Sequence, residues 1–140
     1  MTNAAAAADA AAAGITGMGY LAVAIGGAAG AVARYGLSGW AQSLIGTAFP
    51  LGTLLVNVVG SLLIGAIMQL GMDRVVFSVE ARLLWTTGFC GGLTTFSTFS
   101  YETLELLGDQ EWLAAGGNVA LNVAACLLAT FAGMAAARLA

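Results

Sequence analysis

The 140-residue chain is 60% hydrophobic and 8% charged, with a net charge of −3 and no histidine, against roughly 25% charged residues in soluble domains. That composition excludes a soluble globular domain, a basic nucleic-acid footprint and any histidine-based metal or acid–base site. A membrane span needs about 20 apolar residues, so the length accommodates four or five spans with little outside the bilayer, and so thin a bundle implies an oligomer.

Residues 1–17 form an alanine-rich tract without the positive flank of a signal peptide and read as a disordered tail, leaving 18–140 as a single four-span membrane domain. The first span covers 18–37, with Arg34 near its end. A connection containing Ser38, Gln42, Ser43 and Pro50 follows, and then a second span, 51–70, that holds one polar amide, Asn57. After the charged connection from Asp73 to Arg82 comes a third span, 81–107, whose middle is GGLTTFSTFS, Gly91 to Ser100. Paired glycines followed by Thr94 and Thr95 lower helix propensity where a span should be most regular, so a break is predicted there. The fourth span, 112–139, opens on Trp112, placed as an interfacial anchor.

Four spans put both termini on one side, with Arg74, Arg82 and Arg138 there and only Arg34 opposite. Such a small arginine bias orients the chain weakly and leaves both a single orientation and an antiparallel dimer of identical chains open. Gly26 and Gly30, Ser61 and Gly65, and Gly88 and Gly92 are small residues four apart, a spacing that permits close helix approach. Cys90 and Cys126 lie in separate spans without metal-site or redox spacing and read as packing residues.

Polar side chains within a bilayer are costly and so are the first functional candidates. They are Asn57, the hydroxyls Thr94, Thr95, Ser97, Thr98 and Ser100, and a stripe along one face of the fourth span, Asn118, Asn122, Cys126 and Thr130. Interhelical hydrogen bonding, worth ~0.6 kcal/mol per contact, accounts for any one of them. As a set, with Ser97, Thr98, Asn118 and Asn122 joining Asn57, they are neutral donors that can replace water around an anion without trapping it. No acidic residue lies in the first, second or fourth span, and no nucleophile has a base beside it, so neither a proton-coupled exporter nor an enzyme is favoured. Phe96 and Phe99, three apart beside the predicted break, are either an aromatic core pair or a pair offering positive ring edges to an anion. Carbonyls freed by a break are usually taken up by a cation, which points to Gly91 through Thr94.

GFCGGLTTFSTFSYE (Gly88–Glu102), GGAAGAVARY (Gly26–Tyr35) and PLGTLLVNVVGS (Pro50–Ser61) together resemble the Fluc/CrcB family of fluoride channels. The likeness covers nearly everything after the alanine-rich tract. It implies an all-α membrane protein, an antiparallel dual-topology homodimer of four-span subunits whose broken third helices cross at the centre beside two pores. It further implies Phe96 and Phe99 as pore phenylalanines, Asn57 as the donor facing them, and Gly91 and Thr94 as carbonyl ligands of a structural Na+ that is not transported. Arg34 corresponds to a vestibule arginine, for which snorkelling to the headgroups is the alternative. Asn118 and Asn122 fall on the family's fourth-helix polar track, which leaves Cys126 and Thr130 undecided, and Glu102 matches an acidic position for which the sequence gives no physical role. The function implied is passive fluoride efflux across a bacterial inner membrane, lowering cytoplasmic fluoride and its toxicity. A small dual-topology multidrug exporter would need a buried first-span glutamate that is absent here, and a membrane scaffold would have no use for the break.

Overall fold

The computed structural model describes residues 16–45, 49–73 and 77–139, and among them every regular element is helical. The alanine-rich tract, expected to be a disordered tail, falls almost wholly on residues 1–15, which lie outside the described residues, as does Arg74. Three helices are long and apolar enough to cross a membrane: α1 (Gly17–Ile45), α2 (Leu51–Asp73) and α6 (Trp112–Leu139). Between α2 and α6 the chain is assembled from shorter pieces. These are α3 (Val79–Leu83), a π-helical segment (Leu84–Cys90), α4 (Gly91–Leu93), the extended residues Thr94 and Thr95, and α5 (Phe96–Gly108).

α1 begins where Thr16 Oγ1 accepts the Gly19 amide at 3.0 Å, a side-chain cap on one of the free N-terminal donors. It then runs through the stretch expected to be a connection. Leu37, Trp40, Ala41 and Leu44 continue the helical spacing of apolar residues, and the intervening hydroxyls bond back to the preceding turn: Ser38 to the Arg34 carbonyl at 2.6 Å, Ser43 to the Trp40 carbonyl at 2.7 Å. A polar residue satisfied in this way costs the helix little, so the first span extends beyond 37. Gln42 Oε1 accepts the Gly52 amide at 3.4 Å and so caps the start of α2 from α1.

Two close helix crossings organise the bundle. At the first, α1 meets the segment from Leu84 to Leu93: a Cβ on Gly26 would overlap the Leu84 carbonyl oxygen, and one on Gly30 the Phe89 carbonyl oxygen. The glycines there are what permit backbone-to-backbone contact. At the second, α2 meets α6, with Gly65 against the Thr130 carbonyl and Gly133 against the Leu62 carbonyl. α5 and α6 are joined by a tight reversal in which Gln110 has φ 63° and the Gln110 and Glu111 amides return to the carbonyls of Leu107 and Leu106.

The buried centre contains Val56, Cys90 and Leu93 together with a fully buried amide, Asn118, while Leu104, Leu127, Leu128 and Phe131 face outward. An apolar exterior around a polar-containing core is the pattern of a chain solvated by lipid, and the protein is a multi-pass membrane protein.

Candidate functional site

The site grows from the two extended residues. At Thr94 (ψ 157°) the helical path of α4 ends, with both the Thr94 amide and its hydroxyl donating to the Cys90 carbonyl at 3.0 Å. Extended backbone in a membrane interior must find partners outside its own helix, because no water is available. Asn57 on α2 supplies them: its Oδ1 accepts the Thr95 amide at 2.8 Å and its Nδ2 donates to the Thr95 carbonyl at 3.3 Å. One side-chain amide therefore pairs with both polar groups of Thr95. The Thr95 hydroxyl accepts the Thr98 amide at 3.2 Å and caps α5.

The other bonds of Asn57 set a direction. Because an amide N–H can only donate and a carbonyl only accept, the Thr95 pairing leaves Asn57 one orientation. Its Nδ2 also donates to Asn122 Oδ1 at 3.0 Å. Asn122 Nδ2 in turn donates to the backbone and side-chain oxygens of Asn118, at 3.0 and 2.9 Å, and Asn118 Nδ2 donates to Thr103 Oγ1 at 2.9 Å. The Thr103 hydroxyl ends the chain on the Phe99 carbonyl at 2.7 Å. All these bonds run one way, from α2 through α6 to α5, and neighbouring hydrogen bonds so aligned reinforce one another.

Beside this relay lies a cavity of about 360 Å³ lined by Asn57, Thr94, Phe96, Phe99, Asn122 and Cys126, with Val123 and Leu127. The rings of Phe96 and Phe99 are 5.2 Å apart and inclined at 52°; Phe99 is buried and Phe96 is 79% exposed. Five candidates from the sequence, Asn57, Phe96, Phe99, Asn122 and Thr94, thus converge on one cavity, and Cys126 joins them. Asn118 stands behind it, with both ends of its amide engaged in the relay.

Ser97 and Thr98 are placed differently. Both are exposed, and Thr98 lines two other cavities, one with Thr53, Glu102 and Glu105 and one with Arg34, Tyr35 and Ser38. The hydroxyls of Ser97 and Thr98 lie 3.2 and 2.9 Å from that of Thr95, so they brace the start of α5. Arg34 turns inward, its guanidinium donating to the Thr94 carbonyl at 3.4 Å. Glu102 Oε1 accepts the Thr53 hydroxyl at 2.7 Å, while Oε2 is buried without a partner. Thr130 donates to the Cys126 carbonyl of its own helix.

Gly91 and Thr94 line a third cavity, of about 470 Å³, with Ser61, Thr86, Thr87 and Cys90 among its other walls. The donors that a continuing helix would offer these two carbonyls are diverted: the Thr95 amide goes to Asn57 and the Thr98 amide to Thr95 Oγ1. The Gly91 oxygen therefore keeps lone pairs suited to a hard cation, while the Thr94 oxygen, which accepts from Arg34, keeps one. The sequence marks Thr95 as a hydroxyl at the predicted break, without its pairing to Asn57, and does not mark Thr103, whose partner is fifteen residues away on another helix.

Residues 21–134 match the family model described as CrcB-like protein, Camphor Resistance (CrcB). A Geobacter sulfurreducens protein named fluoride-specific ion channel FluC is 55% identical over 118 residues, 84% of this chain and 95% of its own. Proteins of the same name from Geotalea daltonii and Sorangium cellulosum are 52% identical over 112 residues and 47% identical over 116, covering 80% and 83% of this chain and 90% and 91% of theirs. Matched over most of its length by both the family model and these relatives, the chain belongs to the CrcB family.

Proposed function

We propose that this protein is a fluoride-selective channel that lets fluoride leave a bacterial cell passively across its inner membrane, lowering cytoplasmic fluoride. The observation that carries this reading is the cavity in which Phe96 and Phe99 meet Asn57 and Asn122, in a chain about half identical to proteins named fluoride-specific ion channels. It is not an enzyme. The short helices from Val79 to Gly108 act as a third crossing broken at Thr94 and Thr95, giving a single four-span domain over 18–140.

The mechanism follows from what the cavity offers. A fluoride ion must shed a tightly held hydration shell, and the compensating contacts must be weak enough for it to leave. Ring edges of Phe96 and Phe99 carry partial positive charge and provide such contacts. The amide hydrogens of Asn57 and Asn122 are engaged with Thr95, Asn122 and Asn118, so an anion gains one only by exchanging a relay partner. That exchange keeps binding shallow. Arg34, in the interior of α1 and bonded to the break, raises the local potential for anions at a vestibule. Efflux needs no coupling: the membrane potential supplies about 2.3 kcal/mol per charge per 100 mV.

Two subunits in antiparallel orientation complete the pathways. The exposed Phe96, Ser97 and Thr98 and the cavity containing Gly91 then face the second copy, and the hydroxyls join the pore from there. In such a dimer the Gly91 and Thr94 carbonyls would hold a structural Na+ that is not transported. When bound, that ion supplies fixed positive charge to the crossing point of the broken helices.

The test is fluoride release from liposomes containing purified protein, with potassium and valinomycin providing charge balance and a fluoride electrode as readout. Rapid fluoride release with negligible chloride release is expected; no release, or chloride release at a similar rate, overturns the reading. Cross-linking of single-cysteine variants at the Gly91 face tests the dimer, and flux after exhaustive exchange of sodium for a larger cation tests the ion.

A further inference from the structure

We infer that Thr103 is a positioning residue for the fluoride pathway: its hydroxyl terminates the hydrogen-bond relay that fixes Asn122 and Asn57, and through them the break on which Phe96 is carried. The inference rests on the proposed channel function and concerns a residue that does not line the cavity with the phenylalanines.

Three observations support it. Thr103 lies on α5 one helical turn beyond Phe99, and its hydroxyl is used twice, accepting from Asn118 Nδ2 at 2.9 Å and donating to the Phe99 carbonyl at 2.7 Å. Asn118 is completely buried, so its Nδ2 group has no solvent to turn to if this acceptor is lost. Asn118 Oδ1 is the acceptor that holds Asn122 Nδ2, and Asn122 Oδ1 is the acceptor that holds Asn57 Nδ2. Without the Thr103 oxygen, the Asn118 amide is free to rotate and present a hydrogen to Asn122 where an oxygen now stands. Asn122 Nδ2 is then left with the Asn118 backbone carbonyl alone, and the loosened contact passes to Asn57, the residue that pairs both backbone polar groups of Thr95. Relay direction, set at one end by the pairing of Asn57 with Thr95, is thus held at the other by a hydroxyl anchored to the Phe99 carbonyl.

The test uses the full chain in liposomes. Thr103→Val keeps the shape and removes both hydrogen bonds; Thr103→Ser keeps both and removes only the methyl group. Fluoride flux through Thr103→Val is expected to fall about threefold or more, the factor associated with one interhelical hydrogen bond in a membrane, while Thr103→Ser conducts like the parent protein. Placed on an Asn118→Ala background, Thr103→Val is expected to add no further loss, because both act through the same bond. Unchanged flux in Thr103→Val, equal losses in the valine and serine variants, or multiplicative losses in the double variant each overturn the inference. Thr103→Ala carries the same comparison if the valine variant does not assemble. A parent protein that releases no fluoride would instead sink the channel reading itself, so the two failures are distinct.

Discussion

The two limbs on either side of Thr94 and Thr95 are held by different physics. Before the break, the segment from Leu84 to Leu93 lies against α1 through backbone contacts at Gly26 and Gly30. After it, α5 is tied by side chains: Glu102 to Thr53, Thr95 to Asn57 and Thr103 to Asn118. Glycine contacts fix a depth and a crossing geometry and tolerate no added atom. Hydrogen bonds fix rotation and direction, and their loss can be partial. The break lies at the seam, where one limb sets position and the other sets orientation, and this division is what aims the Phe96 ring at the cavity beside Phe99.

The largest effect should come from the limb held by shape. Gly30→Val drives two methyl groups toward the Phe89 backbone, which cannot step aside as a side chain would, so a cost of at least about 3 kcal/mol is expected. Size-exclusion chromatography in detergent should show loss of the monodisperse species. A monodisperse, active Gly30→Val protein would erase the distinction between the limbs. On the hydrogen-bonded side, Asn57→Ala orphans the Thr95 amide and carbonyl, a penalty of about 1–3 kcal/mol that should appear as a lower thermal midpoint with assembly retained. Flux should fall with it.

A smaller change sharpens the functional half of the contrast. Phe96 is largely exposed and contributes little to the packing of the chain, so Phe96→Ile should leave the melting midpoint nearly unchanged. If its ring edge meets the anion, loss of a contribution of the size of an aromatic contact, about 1 kcal/mol, should lower fluoride flux by roughly fivefold. Equal flux would return Phe96 to the role of a packing residue.

These contrasts explain what was legible in the sequence. α2 and α6 are read from uninterrupted apolar runs, and the weakness at Thr94 and Thr95 from a glycine pair followed by β-branched hydroxyl residues. The end of α1 was misplaced because Ser38 and Ser43 look like loop residues until their hydroxyls are seen to fold back on the preceding carbonyls. The π-helical stretch from Leu84 to Cys90 has no compositional signature; it accompanies the approach of α1. At the site, Asn57 and Asn122 were readable because polar groups in an apolar span stand out, and Phe96 and Phe99 because they lie three apart beside the break. Their order in a relay was not, because donor and acceptor are chosen only when three helices meet. Thr98 shows the same limit: spacing placed it near the phenylalanines, and in the fold it lines two other cavities.

The smallest predicted effect concerns the link that keeps the hydrogen-bonded limb against α6. Gln110 holds φ 63° between Gly108 and Trp112, while the next amide, that of Glu111, reaches the Leu106 carbonyl at 2.8 Å and its own reaches Leu107 at 3.1 Å. This is the closing pattern of a helix C-terminus that favours glycine, since a side chain at positive φ crowds the backbone by about 1 kcal/mol or more. Gln110 is exposed. Replacing it with glycine relieves that crowding but also gives the unfolded chain more freedom, so the net gain should stay below about 1 kcal/mol. Gln110→Gly is therefore expected to raise the thermal midpoint slightly in detergent and to leave fluoride flux unchanged. A lower midpoint would mean that unfolded-state freedom outweighs the strain at this turn. A changed flux would mean that the α5–α6 link, and not only the relay above it, sets how the second limb is aimed.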